Sequence, residues 1–155
     1  MGQGTFVLFN NVAKTIGDGD QDFQSGGEDY AVSLITNAVV AAATDADPEL
    51  GDYTECSGGT YVKQALANQD NTLADEMSSF VADSVTFDQD AGSGPTDCYQ
   101  AIVHIDDSPY KCVGFIDLTE DGGVTPLSLQ DAPIVLNFGS GSRKLINVSI
   151  PANAT

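Results

Sequence analysis

Few kinds of residue in this 155-residue chain could do chemistry: 23 Asp and Glu, one His and three Cys, against only 5 Lys and Arg. Asp18, Asp20 and Asp22 alternate along one short stretch, a spacing that can offer several oxygens to Ca²⁺. The stretch departs from an EF-hand loop, because Phe23 stands where the glycine is needed and Asp29 where the bidentate glutamate is needed. A hydrated turn is therefore the plainer expectation, with weak Ca²⁺ binding by these acids as its rival. Nucleophilic catalysis needs a base beside the nucleophile, and His104 is the sole imidazole. Its place in a predicted strand, opposite Lys111 on the more polar face, predicts a solvent-exposed ring.

Other catalytic patterns are missing. The sequence contains no G-x-S-x-G, and Gly92-Ser93-Gly94 and Gly139-Ser140-Gly141 lack the lysine and strand-to-helix context of a phosphate loop, so they read as turns. With 23 acids, adjacent pairs such as Asp106-Asp107 arise without function, and a chain with no Trp and 8% aromatics is poorly equipped to line a sugar cleft. Cys56, Cys98 and Cys112 form no C-x-x-C and cannot all pair internally, which predicts buried free thiols. Asn147 and Asn153 head glycosylation sequons, read as coincidence because no export signal is seen. The expectation is a protein that is not an enzyme and holds no cofactor.

The net charge of −18 argues against nucleic acid, whose recognition needs a basic stripe, and against anionic membrane surfaces. The charge is also segregated. All the acids lie within residues 18–131, which carry −21, while 1–17 and 132–155 carry +3 from Lys14, Arg143 and Lys144. Those acid-free ends are rich in apolar residues, among them Phe6, Leu8, Phe9, Ile134, Leu136 and Phe138. They are expected to build core or to form a subunit or docking surface, while acidic loops face outward.

These side chains must be positioned by a mainly β fold. Hydrophobic content is 41%, and 16 Gly and 6 Pro punctuate short apolar runs, as in a folded chain with many turns. Phe6, Phe9, Ala13 and Ile16 recur at near-helical spacing and predict a short N-terminal helix ended by Gly17. Strands are predicted at 30–36, 60–67, 73–77 and 83–88, the last presenting Val85 and Phe87 on one side. Residues 98–118 read as a hairpin turning between Asp107 and Ser108, which would place Ala101 opposite Gly114 and His104 opposite Lys111. A second hairpin, 134–138 with 144–150, would close the chain. Seven or eight strands in a single domain over 1–155 suggest a β-sandwich or jelly-roll-like barrel: a helical segment 1–17, a β body 18–150 and a tail 151–155.

In order along the chain, LFN, IGDGDQDF, DYAVSLIT, YTECSGGTYVKQAL, FVADSVTFDQDAGSGPTDCYQAIVHID, PYKCVGFIDL and IVLNFGSGSRKLINV together resemble small virion structural proteins of tailed bacteriophages, common in marine phages. They are most similar to capsid decoration, or cement, proteins. Residues 52–59 are similar to that family's GYT.GG segment, with Cys56 inserted. Residues 80–87 are similar to its F.ADDVTW segment, with Phe87 in place of Trp, and 101–118 to its hairpin, with Lys111-Cys112 replacing an apolar pair. The motifs are packing and turn motifs and transfer no catalytic residue. The resemblance implies a homo-oligomer, a trimer, bound to the major capsid protein on the outer surface of the virion. The acid-free ends then nominate Phe6, Phe9, Arg143 and Lys144 for contacts to capsid or sister subunits. A tail or baseplate component and a receptor- or glycan-binding β module are the alternatives.

Overall fold

The structure, a computed structural model, describes residues 4–19, 21–22, 26–74, 77–119, 124–138 and 146–149. Its centre is a five-stranded antiparallel sheet in the order β1-β8-β7-β2-β3, formed by Phe6–Leu8, Cys112–Asp117, Gln100–Ile105, Tyr30–Ile35 and Gln64–Ala65. A two-stranded sheet pairs β6 (Val85–Phe87) with β9 (Ile134–Leu136), and a three-stranded sheet has the order β10-β5-β4 (Ile146–Ser149, Met77–Val81, Asp70–Ala74). The fold is mainly β, as its composition predicts. The central sheet ends at β1 and β3 and so is open, which favours the layered sandwich over a closed barrel.

β2, β7 and β8 are buried on both faces, apart from half-buried Ile105. One face carries Val113, Phe115, Ile102 and Gln100, and it is covered by Phe9, whose ring lies 5.4 Å from that of Phe115, and by the segment holding Ala41 and Tyr53. The other face carries Val32, Leu34, Ala101 and Val103. On that side the Tyr61 hydroxyl accepts from the Leu34 amide at 2.8 Å, and the Tyr61 ring stacks on Phe87 of β6 at 5.9 Å. One continuous apolar core runs through these layers. Each fully buried Leu, Ile or Phe in it is worth about 1.5–3 kcal/mol of transfer free energy.

Several expectations are corrected. The N-terminal segment is not one helix. Phe6–Leu8 forms β1 at the sheet edge, pairing Phe6 with Ile116 and Leu8 with Gly114, and the helix α1 is confined to Val12–Asp18. Gly19, not Gly17, ends it, taking the left-handed conformation (φ 80°) that a helix terminus favours in glycine. Over residues 100–103 the β7–β8 pairing is displaced by two residues from the predicted register, with Ala101 opposite Ile116 and Val103 opposite Gly114, and a bulge at Val103/His104 reduces the displacement to one, at His104 and Cys112. A displacement of two keeps the side chains of 100–103 on the predicted faces, so the alternation survives up to the bulge. The predicted strand 73–77 is two strands, β4 and β5, and the predicted 60–67 strand shrinks to β3. The closing hairpin does not form as expected: β9 crosses to β6, and β10 pairs with β5.

Candidate functional site

His104 is fully buried, where sequence placed it in solvent. β7 is an interior strand, and its bulge pairs His104 with Cys112 rather than Lys111. The ring is hydrogen bonded at both nitrogens, Nε2 with Ser33 Oγ at 3.1 Å and Nδ1 with the Ile105 carbonyl at 2.8 Å. Burial holds its pKa below the ordinary imidazole value, so the ring is a neutral core group. The three thiols are free and buried, as expected. Burial pushes Cys112 up, and Cys56 is held protonated first by its hydrogen bond with Cys98 and then by burial. These groups are sealed from substrate.

Of the acidic stretch 18–22, the described acids Asp18 and Asp22 have partners within the chain. Asp18 is exposed and ion-paired with Lys14 one turn earlier on α1. Asp22 uses its backbone carbonyl, which accepts from Tyr30 Oη and from the Glu28 amide, each at 3.2 Å. Asp20 lies outside the described residues. Among the described residues no group of three or more His, Cys, Asp or Glu is arranged to hold a metal ion. Of the nominated contact residues, Phe6 is half-buried on edge strand β1, whereas Phe9 is 1% exposed and belongs to the core. Its ring is committed to Phe115 and Tyr53, so it is not available as a surface contact. Arg143 and Lys144 lie outside the described residues.

One acid is wholly structural. Asp90 Oδ2 accepts from the Thr60 amide at 3.0 Å, and Oδ1 from the amides of Gly92 and Ser93 at 3.3 and 3.2 Å, with the hydroxyls of Thr60 and Ser93 adding further bonds. These donors, the Thr60 amide first, hold its pKa below the usual carboxylate value. The clasp joins the turn at Gly58-Gly59 to the loop 90–95. Gly59 is required there, with φ 57° and a position where a Cβ would lie 2.9 Å from the Ser93 carbonyl.

A groove of about 820 Å³ lies between α1, the β7–β8 turn and the loop carrying Asp47. Five carboxylates line it (Glu28, Asp29, Asp47, Asp106, Asp107), against the ammonium groups of Lys14 and Lys111. Lys111 is already engaged, 2.6 Å from Asp47 and 3.6 Å from Glu49, and these carboxylates, Asp47 foremost, raise its pKa. Behind the rim, Lys63 pairs with Asp106 at 2.5 Å and sits 4.7 Å from the Tyr110 ring centroid. Asn11 Nδ2 donates to Asp47 Oδ1 at 3.3 Å. Asn11 Oδ1 and Gln21 Oε1, both buried atoms, have no hydrogen-bond partner among the described residues. Sequence reading passed over both residues. Each is a single neutral amide, and the groove exists only because segments distant in the chain converge on it.

Among the described residues, no helix is long and apolar enough to cross a membrane. Comparison with known proteins finds no family model, curated protein or solved structure that matches the chain.

Proposed function

We propose that the protein is a virion structural protein that decorates, or cements, the head shell of a tailed bacteriophage. In this reading it sits on the outer surface as a trimer bound to the major capsid protein, with no catalytic role and no nucleic acid or membrane partner. The observation that carries the reading is the placement of reactive groups. His104 and all three thiols are locked inside the sheet layers, and the described lysines are paired with carboxylates on the outside. Such a chain offers neighbours surfaces rather than a reactive centre. The likeness of its turn and hairpin segments to decoration proteins supplies the partner.

The mechanism is mass action. A protein that binds only the assembled, expanded shell stabilises that state, and each copy adds its binding free energy. The strongly negative body keeps unbound copies apart in solution. The test is to mix purified protein with expanded, undecorated capsids. Saturable binding with raised resistance to heat or pressure is the expected outcome; no binding at micromolar concentrations would falsify the cement reading.

A further inference from the structure

The acidic groove holds acceptors that the protein itself leaves unmet. Gln21 is 6% exposed, yet its Oε1 receives no donor among the described residues. Asn11 Oδ1 is in the same position, and its amide orientation is fixed because Nδ2 donates to Asp47. A buried acceptor without a partner costs about 1–3 kcal/mol, so two such atoms on one groove are an expensive arrangement for a fold to keep empty-handed.

The surroundings select the ligand that would meet them. The lining is net negative, and both lysines on it are spoken for, Lys14 by Asp18 and Lys111 by Asp47. The net negative lining therefore repels an anion. A bare metal ion is disfavoured because no metal-holding group of acids is found among the described residues. What fits is a cation rich in N–H donors, since such a group can satisfy neutral amide oxygens and carboxylates together. Ile105 and Pro109 give the groove an apolar wall against which an alkyl stem can lie. The volume falls within the range of small-molecule sites.

We propose that this groove binds a guanidinium or primary ammonium group carried on an alkyl chain, with Gln21 and Asn11 as its neutral acceptors and the groove carboxylates as its counter-charge. The cation can come from a free alkylamine or from an Arg or Lys side chain of another polypeptide. The assignment goes beyond the capsid role and does not depend on it.

The test follows the side-chain amide resonances of Gln21 and Asn11 by ¹⁵N NMR at physiological salt. Three probes are titrated: agmatine, N-acetylarginine amide and an end-blocked Gly-Arg-Gly peptide. Saturable shifts of both amides with a Kd of about 1 mM or tighter, weakened at least about tenfold in Gln21→Met, are the expected result. Circular dichroism and Tm establish that this variant is folded. Agmatine binding as well as the peptide assigns the site to free amines, and a clear preference for the peptide assigns it to a protein side chain. The proposal is overturned if neither amide responds at about 20 mM probe, where a site of the stated affinity would be nearly full. It is overturned equally if the folded Gln21→Met protein binds as tightly as wild type.

Discussion

Gln100 and Gln21 are buried to nearly the same degree, 5% and 6% exposed, but the protein treats them in opposite ways. On the central sheet, Gln100 Oε1 accepts from the Ala41 amide at 2.8 Å and Nε2 donates to the Ala41 carbonyl at 3.2 Å, so the side chain pins the 36–53 segment to β7. At the groove, Gln21 Oε1 meets nothing among the described residues. The same contrast separates the clasp from the groove. Both are acid-rich and loop-built, yet Asp90 is saturated by its own neighbours, while the groove has acceptors to spare. Acid content therefore does not mark a binding surface here. The marker is whether the chain has already used its hydrogen-bonding capacity.

The packed side is tested most severely at Gly59. Gly59→Val combines a positive φ with contact against the Ser93 carbonyl, and an overpacked, strained site of this kind costs about 2–3 kcal/mol. By the size scaling of ΔTm this lowers Tm by about 4–12 °C in a thermal melt. A melt unchanged by the substitution would mean that the clasp is slack. Gln100→Met comes next: it leaves the buried Ala41 amide and carbonyl without their partner and costs about 1–3 kcal/mol in urea unfolding.

His104 gives a pH dependence of definite sign. Its pKa is depressed in the folded state, so below the ordinary value of 6.5 the unfolded chain binds the extra proton. Its contribution to stability is full above that pH. It is lost as pH falls below 6.5, at up to about 1.4 kcal/mol per pH unit, until the folded-state pKa is reached. Many carboxylates titrate as well, so the measurement is the difference in unfolding free energy between wild type and His104→Gln from pH 7.5 to 5.5. That difference should narrow toward acid; a constant difference would show the imidazole to be solvated. The three thiols sharpen the same point. A disulfide reagent should find none of them in the native protein and all three after denaturation.

The smallest effect has the opposite sign. Gln21→Met removes an acceptor with no partner among the described residues and replaces it with an apolar chain of similar volume, so stability should hold or rise by up to about 1 kcal/mol. Gln21→Met and Gln100→Met are chemically identical substitutions at equal burial. A loss at Gln21 as large as that at Gln100 would erase the distinction between groove and sheet.

Local pattern made much of the framework legible. The alternation of Val85 and Phe87 was readable because Thr86 between them faces solvent, giving a clean period of two. The 30–36 strand and the hairpin were readable from their β-branched runs and from the turn at Asp107-Ser108. Long-range competition hid the rest. Phe6–Leu8 fits a helical spacing locally but becomes a strand because β8 offers it an edge. Ile134–Leu136 leaves its neighbour in sequence for β6, a choice no local signal records. His104 looked polar and exposed because neither the bulge nor the ring's partner Ser33 on β2 leaves a trace in the hairpin's own residues. The groove was illegible for the same reason: Asn11, Gln21 and Asp106 acquire a shared meaning only when α1 and the β7–β8 turn come together.

A cryo-EM reconstruction of a virion carrying this protein is the decisive test of the proposed place on the head shell. Density for this open five-stranded sheet is expected on the outer face of the head, repeated at fixed stoichiometry where capsid subunits meet, with the acidic groove turned away from the phosphate-rich interior. Density confined to the tail or baseplate, or a head shell without this fold, would contradict it.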